Sequence, residues 1–145
     1  MKNPYLTVEG CVNRLYSQYK SHPRLIICCD YDDTLKSMRE QYDCSDTINV
    51  LKRCQDHNFY IVIYTAAEPK RWPAMLEYAE SLGIKVHAIN KNPVELVVGN
   101  HGKLYYNVLL DDKSGLGQAI EILNKLIDKI ELKEFYSQAD RTTGN

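Results

Sequence analysis

Leu25-Ile26-Ile27-Cys28-Cys29-Asp30-Tyr31-Asp32-Asp33-Thr34-Leu35 is the stretch whose reading decides the fold. Its first five residues are apolar without alternation, which suits a strand covered on both faces. An acidic turn follows at once. Three carboxylates within four residues repel one another and are tolerable where a divalent cation or hydrogen-bond donors offset the charge. A mundane reading competes with that one, because Asp33 or Thr34 would also serve as the cap of a following helix. This stretch alone does not choose between them.

The chain around it has 145 residues, enough for one domain with a proper core. A net charge of −1 gives no global basic field for nucleic acid, although a local patch is compatible with it. Residues 1–20 carry no apolar core of signal-peptide kind, and no apolar run approaches membrane-spanning length. The expectation is a cytoplasmic protein without membrane contact (host cytoplasm, if a phage encodes it). Five cysteines, Cys11, Cys28, Cys29, Cys44 and Cys54, form no CxxC pair. Cys28 and Cys29, adjacent in a strand, point to opposite faces and cannot chelate together. Buried free thiols follow.

Val8, Cys11, Val12, Leu15, Tyr16 and Tyr19 recur at helical spacing after Thr7, an N-cap candidate. Lys36–Ser45 shows no period and reads as loop. Asp46 is expected to cap a helix over Thr47–His57. Phe59–Tyr64 is a second apolar strand ending at Thr65-Ala66-Ala67. A helix over Pro69–Ser81 begins with proline and has Gly83 just past its end. Ile84–Ile89 reads as a third strand, Val94–Gly102 as loop, and Tyr105–Leu110 as a fourth strand, running into Asp111-Asp112-Lys113-Ser114. Leu116, Ile120, Leu123, Ile127 and Ile130 mark a last helix over 116–132, and 137–145 reads as a flexible tail. The domain therefore spans 1–136, with residues 1–22 an N-terminal helix packed on it.

Apolar strands alternating with helices imply an α/β, Rossmann-like three-layer sandwich. Its mainly parallel sheet has about four strands in the order 4-1-2-3, with right-handed crossovers. Ligands in such sheets sit beyond the carboxyl ends of the strands. Here those ends carry Asp30, Asp32 and Asp33, then Thr65, Asn90, and Asp111 with Asp112. Asp30 and Asp111, 81 positions apart, would meet at one edge, and capping does not explain that convergence.

Several chemistries fail on the residues. An EF-hand loop starting at Asp30 needs glycine at its sixth position and glutamate at its twelfth, where the chain has Leu35 and Gln41. A Walker phosphate loop is absent, and Gly115-Leu116-Gly117 has Ile120 where a dinucleotide fingerprint wants glycine. A receiver domain shares the architecture and an acidic metal site but wants its acceptor aspartate after the third strand, where Asn90 stands, so it is kept only as a distant alternative.

The ordered series Asp30-x-Asp32-Asp33-Thr34-Leu35, Ile61-Val62-Ile63-Tyr64-Thr65, a lysine, then Val108-Leu109-Leu110-Asp111-Asp112 resembles the haloacid dehalogenase-like superfamily. The stretches Leu82–Ile84, Ala88–Pro93 and Leu110–Leu116 look similar to its small capless hydrolases of bacteria and phages. The resemblance implies Asp30 as nucleophile and Asp32 as general acid and base. It implies Mg²⁺ held by Asp30, the Asp32 backbone carbonyl and Asp111. Asp112, Asp33 and Thr34 would support that site, and Thr65 would bind phosphate. Lys103, eight residues before Asp111, is the expected cation, with Lys85 its rival. Where relatives often carry arginine after the threonine, this chain has Ala66 and Ala67, leaving Arg71 as a substitute. Arg71 and Asn90 are candidate substrate contacts. Trp72 reads as core packing or as a lip over the site, Tyr31 should face away from it, and of four scattered histidines only His101 lies near Lys103.

About 29 residues separate Leu35 from Thr65 and about 37 separate Thr65 from Lys103, too few for a cap domain. The resemblance therefore implies an open-sited Mg²⁺-dependent phosphomonoesterase acting on a phosphorylated small molecule or a nucleic-acid end. Analogy to phage relatives favours a nucleotide or polynucleotide-end phosphate. A catalytically silent metal- and phosphate-binding module and a phosphotransferase are the alternatives.

Overall fold

The computed structural model describes residues 1–94 and 102–143. Every side chain of β1 (Ile26–Cys29) is buried, as a run without alternation requires. Each fully buried aliphatic side chain contributes about 1.5–3 kcal/mol relative to exposure. β1 lies between β2 (Tyr60–Ile63) and β4 (Val108–Leu110), parallel to both. β3 (Ala88–Ile89) pairs with the far side of β2. The order β3-β2-β1-β4 is 4-1-2-3 read from the other edge. The four helices are α1 (Val8–Ser21), α2 (Ser45–Asp56), α3 (Trp72–Ser81) and α4 (Leu116–Thr143).

The pleat divides the core. Ile27 and Cys29 join a large cluster to which α1 gives Val12 and Leu15, α2 gives Val50, Leu51 and Cys54, α3 gives Met75 and Ala79, and α4 gives Leu123, Leu126, Ile127 and Ile130. Ile26 and Cys28 join a smaller cluster with Val62, Ala88 and Leu104, backed by Tyr60, Tyr106 and Leu109. The layers flanking the sheet are thus unequal: the helices supply the larger cluster, and the chain leading into β4 supplies the smaller. Burial pushes the Cys28 and Cys54 thiols up to about 12, and that of Cys29 well above its ordinary value, so these are inert core residues.

Several element ends differ from the sequence expectation, each for a local reason. Asp46 does not cap α2. The helix begins at Ser45, whose N–H donates to the Asp43 carboxylate (2.8 Å), and Asp46 falls in the first turn. The expected helix from Pro69 opens as a 3₁₀ turn, Pro69–Arg71, before α3 proper. β3 is shorter than expected because side chains replace ladder partners: the Lys85 N–H donates to Gln55 Oε1 (2.6 Å) and the Ile61 N–H to His87 Nδ1 (3.1 Å). β4 begins only at Val108, since the Asn107 amide oxygen takes the Ile26 N–H (2.7 Å). The tail expected from residue 137 is helical to Thr143. Once the first half of α4 is anchored in the core, Lys133, Glu134, Gln138 and Ala139 extend the helix without a new nucleation cost. The loop expected over 94–102 lies mostly outside the described residues, and His101 with it. No described helix is long and apolar enough to cross a membrane.

Candidate active site

β1, β2, β3 and β4 all end at one edge of the sheet, and the loops leaving them carry the acidic and hydroxyl residues. β1 delivers Asp30, whose N–H donates to the Leu110 carbonyl (2.8 Å), so that its loop starts hydrogen-bonded to the end of β4. The turn is tight: the N–H groups of Leu35 and Lys36 donate to the Tyr31 carbonyl (3.0 and 3.1 Å), and that of Asp33 to the Lys36 carbonyl (2.7 Å). These bonds leave the Asp32 carbonyl without a hydrogen bond among the described residues. Tyr31 faces away from the acids into the core, edge-on to Tyr78.

Asp33 takes the left-handed conformation (φ 61°), and its carboxylate accepts the Met38 N–H (2.9 Å). No helix follows here, so Asp33 is not a helix cap; its carboxylate holds the loop. Thr34 is different. Its buried hydroxyl lies 3.1 Å from Asp30 Oδ2 and 3.1 Å from Asp112 Oδ1, while its oxygen accepts the Asp112 N–H (2.9 Å). One hydroxyl proton cannot serve two carboxylates at once. Oxygens of Asp30, Asp111 and Asp112 all lie within 4.8 Å of one another, so the cluster is short of positive charge.

The shortage appears in the protonation of Asp30. Burial first, then the hydrogen-bonded Asp112 carboxyl and the charge of Asp111, push its carboxyl up to about 6, against the Thr34 hydroxyl and the Tyr31 N–H. Asp112 moves the other way. Its slight burial is outweighed by hydrogen bonds from Asp30, Thr34 and Asp111. Below about 6 a proton shared by the two acids therefore rests on the more buried Asp30. An all-oxygen set drawn from two strand ends suits a hard divalent cation, and Mg²⁺ fits the donor chemistry. Asp112 contributes a side-chain oxygen here, a more direct part than the sequence reading gave it. Asp111 Oδ1 accepts the Lys113 N–H (3.0 Å), which fixes the turn after β4.

β2 ends at Thr65, which is buried. Asn90, in the left-handed region (φ 55°), clamps it: the Thr65 N–H donates to Asn90 Oδ1 (2.8 Å) and Asn90 Nδ2 donates to the Thr65 carbonyl (2.7 Å). Both ends of the Asn90 amide bond to Thr65, so Asn90 shapes the end of β2, and its second amide N–H is not used by these bonds. The Thr65 hydroxyl oxygen accepts the Ala67 N–H (3.1 Å), and the Trp72 indole N–H donates to the Ala67 carbonyl (3.1 Å). Trp72 is half-buried and packs on the core while closing this loop.

Arg71 reaches across to the first loop. Its two terminal nitrogens lie 3.2 and 3.5 Å from the two Asp32 carboxylate oxygens. Lys103 is not brought onto Asp30: it is exposed, five residues upstream of β4, and pairs with no carboxylate among the described residues. Lys85 lies three residues before β3, on the side of the sheet away from this edge. Adjacent strand ends are thus joined by one side-chain link each: Asp112 to Thr34, Asp32 to Arg71, Thr65 to Asn90. The sequence reading missed Asn90 as a clamp and Arg71 as a partner of Asp32. An asparagine just past an apolar strand was a signal for the first, and nothing local signalled the second.

No family model and no curated protein matches this chain. A solved structure, described as a conserved protein coded by a locus from Bacteroides thetaiotaomicron, is similar in fold. It is 20% identical, with a TM-score of 0.58, over 70% of this chain and 91% of that one. At that identity the likeness shows the α/β architecture alone.

Proposed function

We propose that this protein is a Mg²⁺-dependent phosphomonoester hydrolase working through an aspartyl-phosphate on Asp30. The observation that carries the reading is the convergence of Asp30, Asp111 and Asp112 oxygens within 4.8 Å of one another, with the buried Thr34 hydroxyl against Asp30 and Asp112. Asp30, Asp111, Asp112 and the Asp32 carbonyl would hold the ion. When bound, it would offset both the acid cluster and the substrate phosphate.

An Asp30 carboxylate oxygen attacks phosphorus, the phosphorus–oxygen ester bond breaks, and Asp32 gives its proton to the departing oxygen. Asp32 then takes a proton from water as that water attacks the aspartyl-phosphate, and free Asp30 and inorganic phosphate result. The Thr65 hydroxyl spends its oxygen on the Ala67 N–H, so its proton remains to donate to a phosphate oxygen. Lys103, exposed and unpaired among the described residues, is the cation this reading assigns to the transferring phosphoryl group. Without a cap the site would accept an exposed phosphoester or a nucleic-acid end. The buried free thiols suit a reducing compartment, and the cytoplasm is the compartment we assign.

One observation favours a second reading, a metal- and phosphate-binding module without turnover: Lys103 is not paired with Asp30, and Arg71 is engaged with Asp32. Phosphate release from an aryl phosphate with Mg²⁺ and with EDTA, for wild type and Asp30→Asn, separates the two. The hydrolase reading expects metal-dependent release that the substitution lowers by at least about 10³-fold. Mg²⁺ and phosphate binding without release would leave the module standing, and product bearing the phosphoryl group on an added alcohol would identify a phosphotransferase.

A further inference from the structure

We infer that Arg71 is a positioning residue for the proton donor Asp32 rather than a contact for the substrate phosphate; this rests on the phosphatase reading above. The guanidinium presents both terminal nitrogens to both Asp32 oxygens, at 3.2 and 3.5 Å, the side-by-side arrangement that fixes a carboxylate's plane as well as its place. Arg71 is itself well held. Its N–H donates to the Glu68 carbonyl (2.9 Å), it closes the 3₁₀ turn, and Trp72 beside it is tied to Ala67 (3.1 Å). Ala67 in turn donates to Thr65 (3.1 Å). A continuous chain of bonds therefore runs from the phosphate-binding loop to the general acid on the neighbouring loop.

Asp32 has no other side-chain partner among the described residues. Thr34, the nearest hydroxyl in sequence, is engaged with Asp30 and Asp112, so Arg71 alone orients the Asp32 carboxyl. The pair with Asp32 uses one N–H of each terminal nitrogen, so the face of the guanidinium turned to the active edge is the one that holds the proton donor.

The two roles differ in how a loss depends on the leaving group. A poor leaving oxygen, as in an alkyl phosphate, needs its proton delivered during bond cleavage, whereas 4-nitrophenolate departs without one. A phosphate contact acts on both substrates alike. The experiment is kcat/KM for an alkyl phosphate and for 4-nitrophenyl phosphate, measured for wild type, Arg71→Ala and Arg71→Lys. Positioning predicts a fall of about tenfold for the alkyl ester in Arg71→Ala, a fraction of the 10²–10⁴ that general acid catalysis supplies, and a change of less than about twofold for the nitrophenyl ester. Arg71→Lys should recover part of the alkyl rate. Arg71 is about half exposed, so the variants should fold. Equal losses on both substrates, or no loss on either, would overturn the assignment while leaving the phosphatase reading intact. A wild-type protein that releases phosphate from neither ester would overturn both.

Discussion

The two ends of the sheet handle buried polarity in opposite ways. At the start of the strands, polar groups answer one another: Asn107 takes the Ile26 N–H, gives its amide to Gln18 (3.0 Å), and receives Arg14 on its carbonyl (3.3 Å). Arg24 donates to the Asn58 carbonyl (2.8 Å) and lies 3.8 Å over the Tyr60 ring. One atom there lacks a partner, Arg14 Nε. A cavity of about 450 Å³ opens beside these residues, yet no carboxylate is among the described residues lining it. At the finish of the strands acid is in excess of positive charge: three carboxylates meet, and Asp30 and Asp112 share one hydroxyl proton. The largely paired end, with Arg14 Nε its one unmatched buried side-chain atom among the described residues, is what stability alone produces. The acid-rich end is what a site that receives charge looks like.

This contrast can be broken or sharpened. The largest effect should come at the acidic end. Asp111→Asn should weaken Mg²⁺ binding by at least about a hundredfold in calorimetric titration, and a change below threefold would mean that the cluster does not hold the ion. At the opposite end, Asn107→Leu strands the Ile26 N–H and the Gln18 amide. It should cost about 2–3 kcal/mol in urea unfolding and leave Mg²⁺ affinity unchanged.

The smallest effect is a gain. The folded chain holds a proton on Asp30 up to about 6, whereas the unfolded chain loses it near 3.8. The folded state binds more protons between those values, so stability of the metal-free protein is fullest below about 4 and falls as pH rises through about 6. Discounted for the partial exposure of Asp30, the loss is about 1 kcal/mol. The opposite contribution of exposed Asp112 is screened by salt. Asp30→Asn should remove this slope and raise the metal-free melting temperature at pH 7.5 by roughly 2–4 °C. A lower melting temperature would contradict the claim of excess acid.

Much of this was legible before any coordinates. Unbroken apolar runs at Leu25–Cys29 and Phe59–Ile63 announced central parallel strands, and two acidic strand ends placed the site. What escaped the sequence depends on side chains standing in for backbone. Gln55, His87 and Asn107 each shorten a strand by taking a ladder position, and no local pattern reveals such a choice. The division of labour among Asp30, Asp33 and Asp112 was hidden for the same reason. Three similar carboxylates acquire different roles from which N–H or hydroxyl happens to face each. Polar spacing also misled at 137–143, where a helix anchored upstream continues without an apolar periodicity in the sequence.

The most direct test of the acidic end as a phosphoryl-transfer site is to trap the transfer itself. The protein, turning over an aryl phosphate with Mg²⁺, would be quenched in acid and its peptides read by mass spectrometry, with and without hydroxylamine. A phosphoryl group on Asp30 that requires Mg²⁺ and is removed by hydroxylamine is the predicted result. Phosphate release with no adduct on Asp30, or with the adduct on another residue, would contradict it.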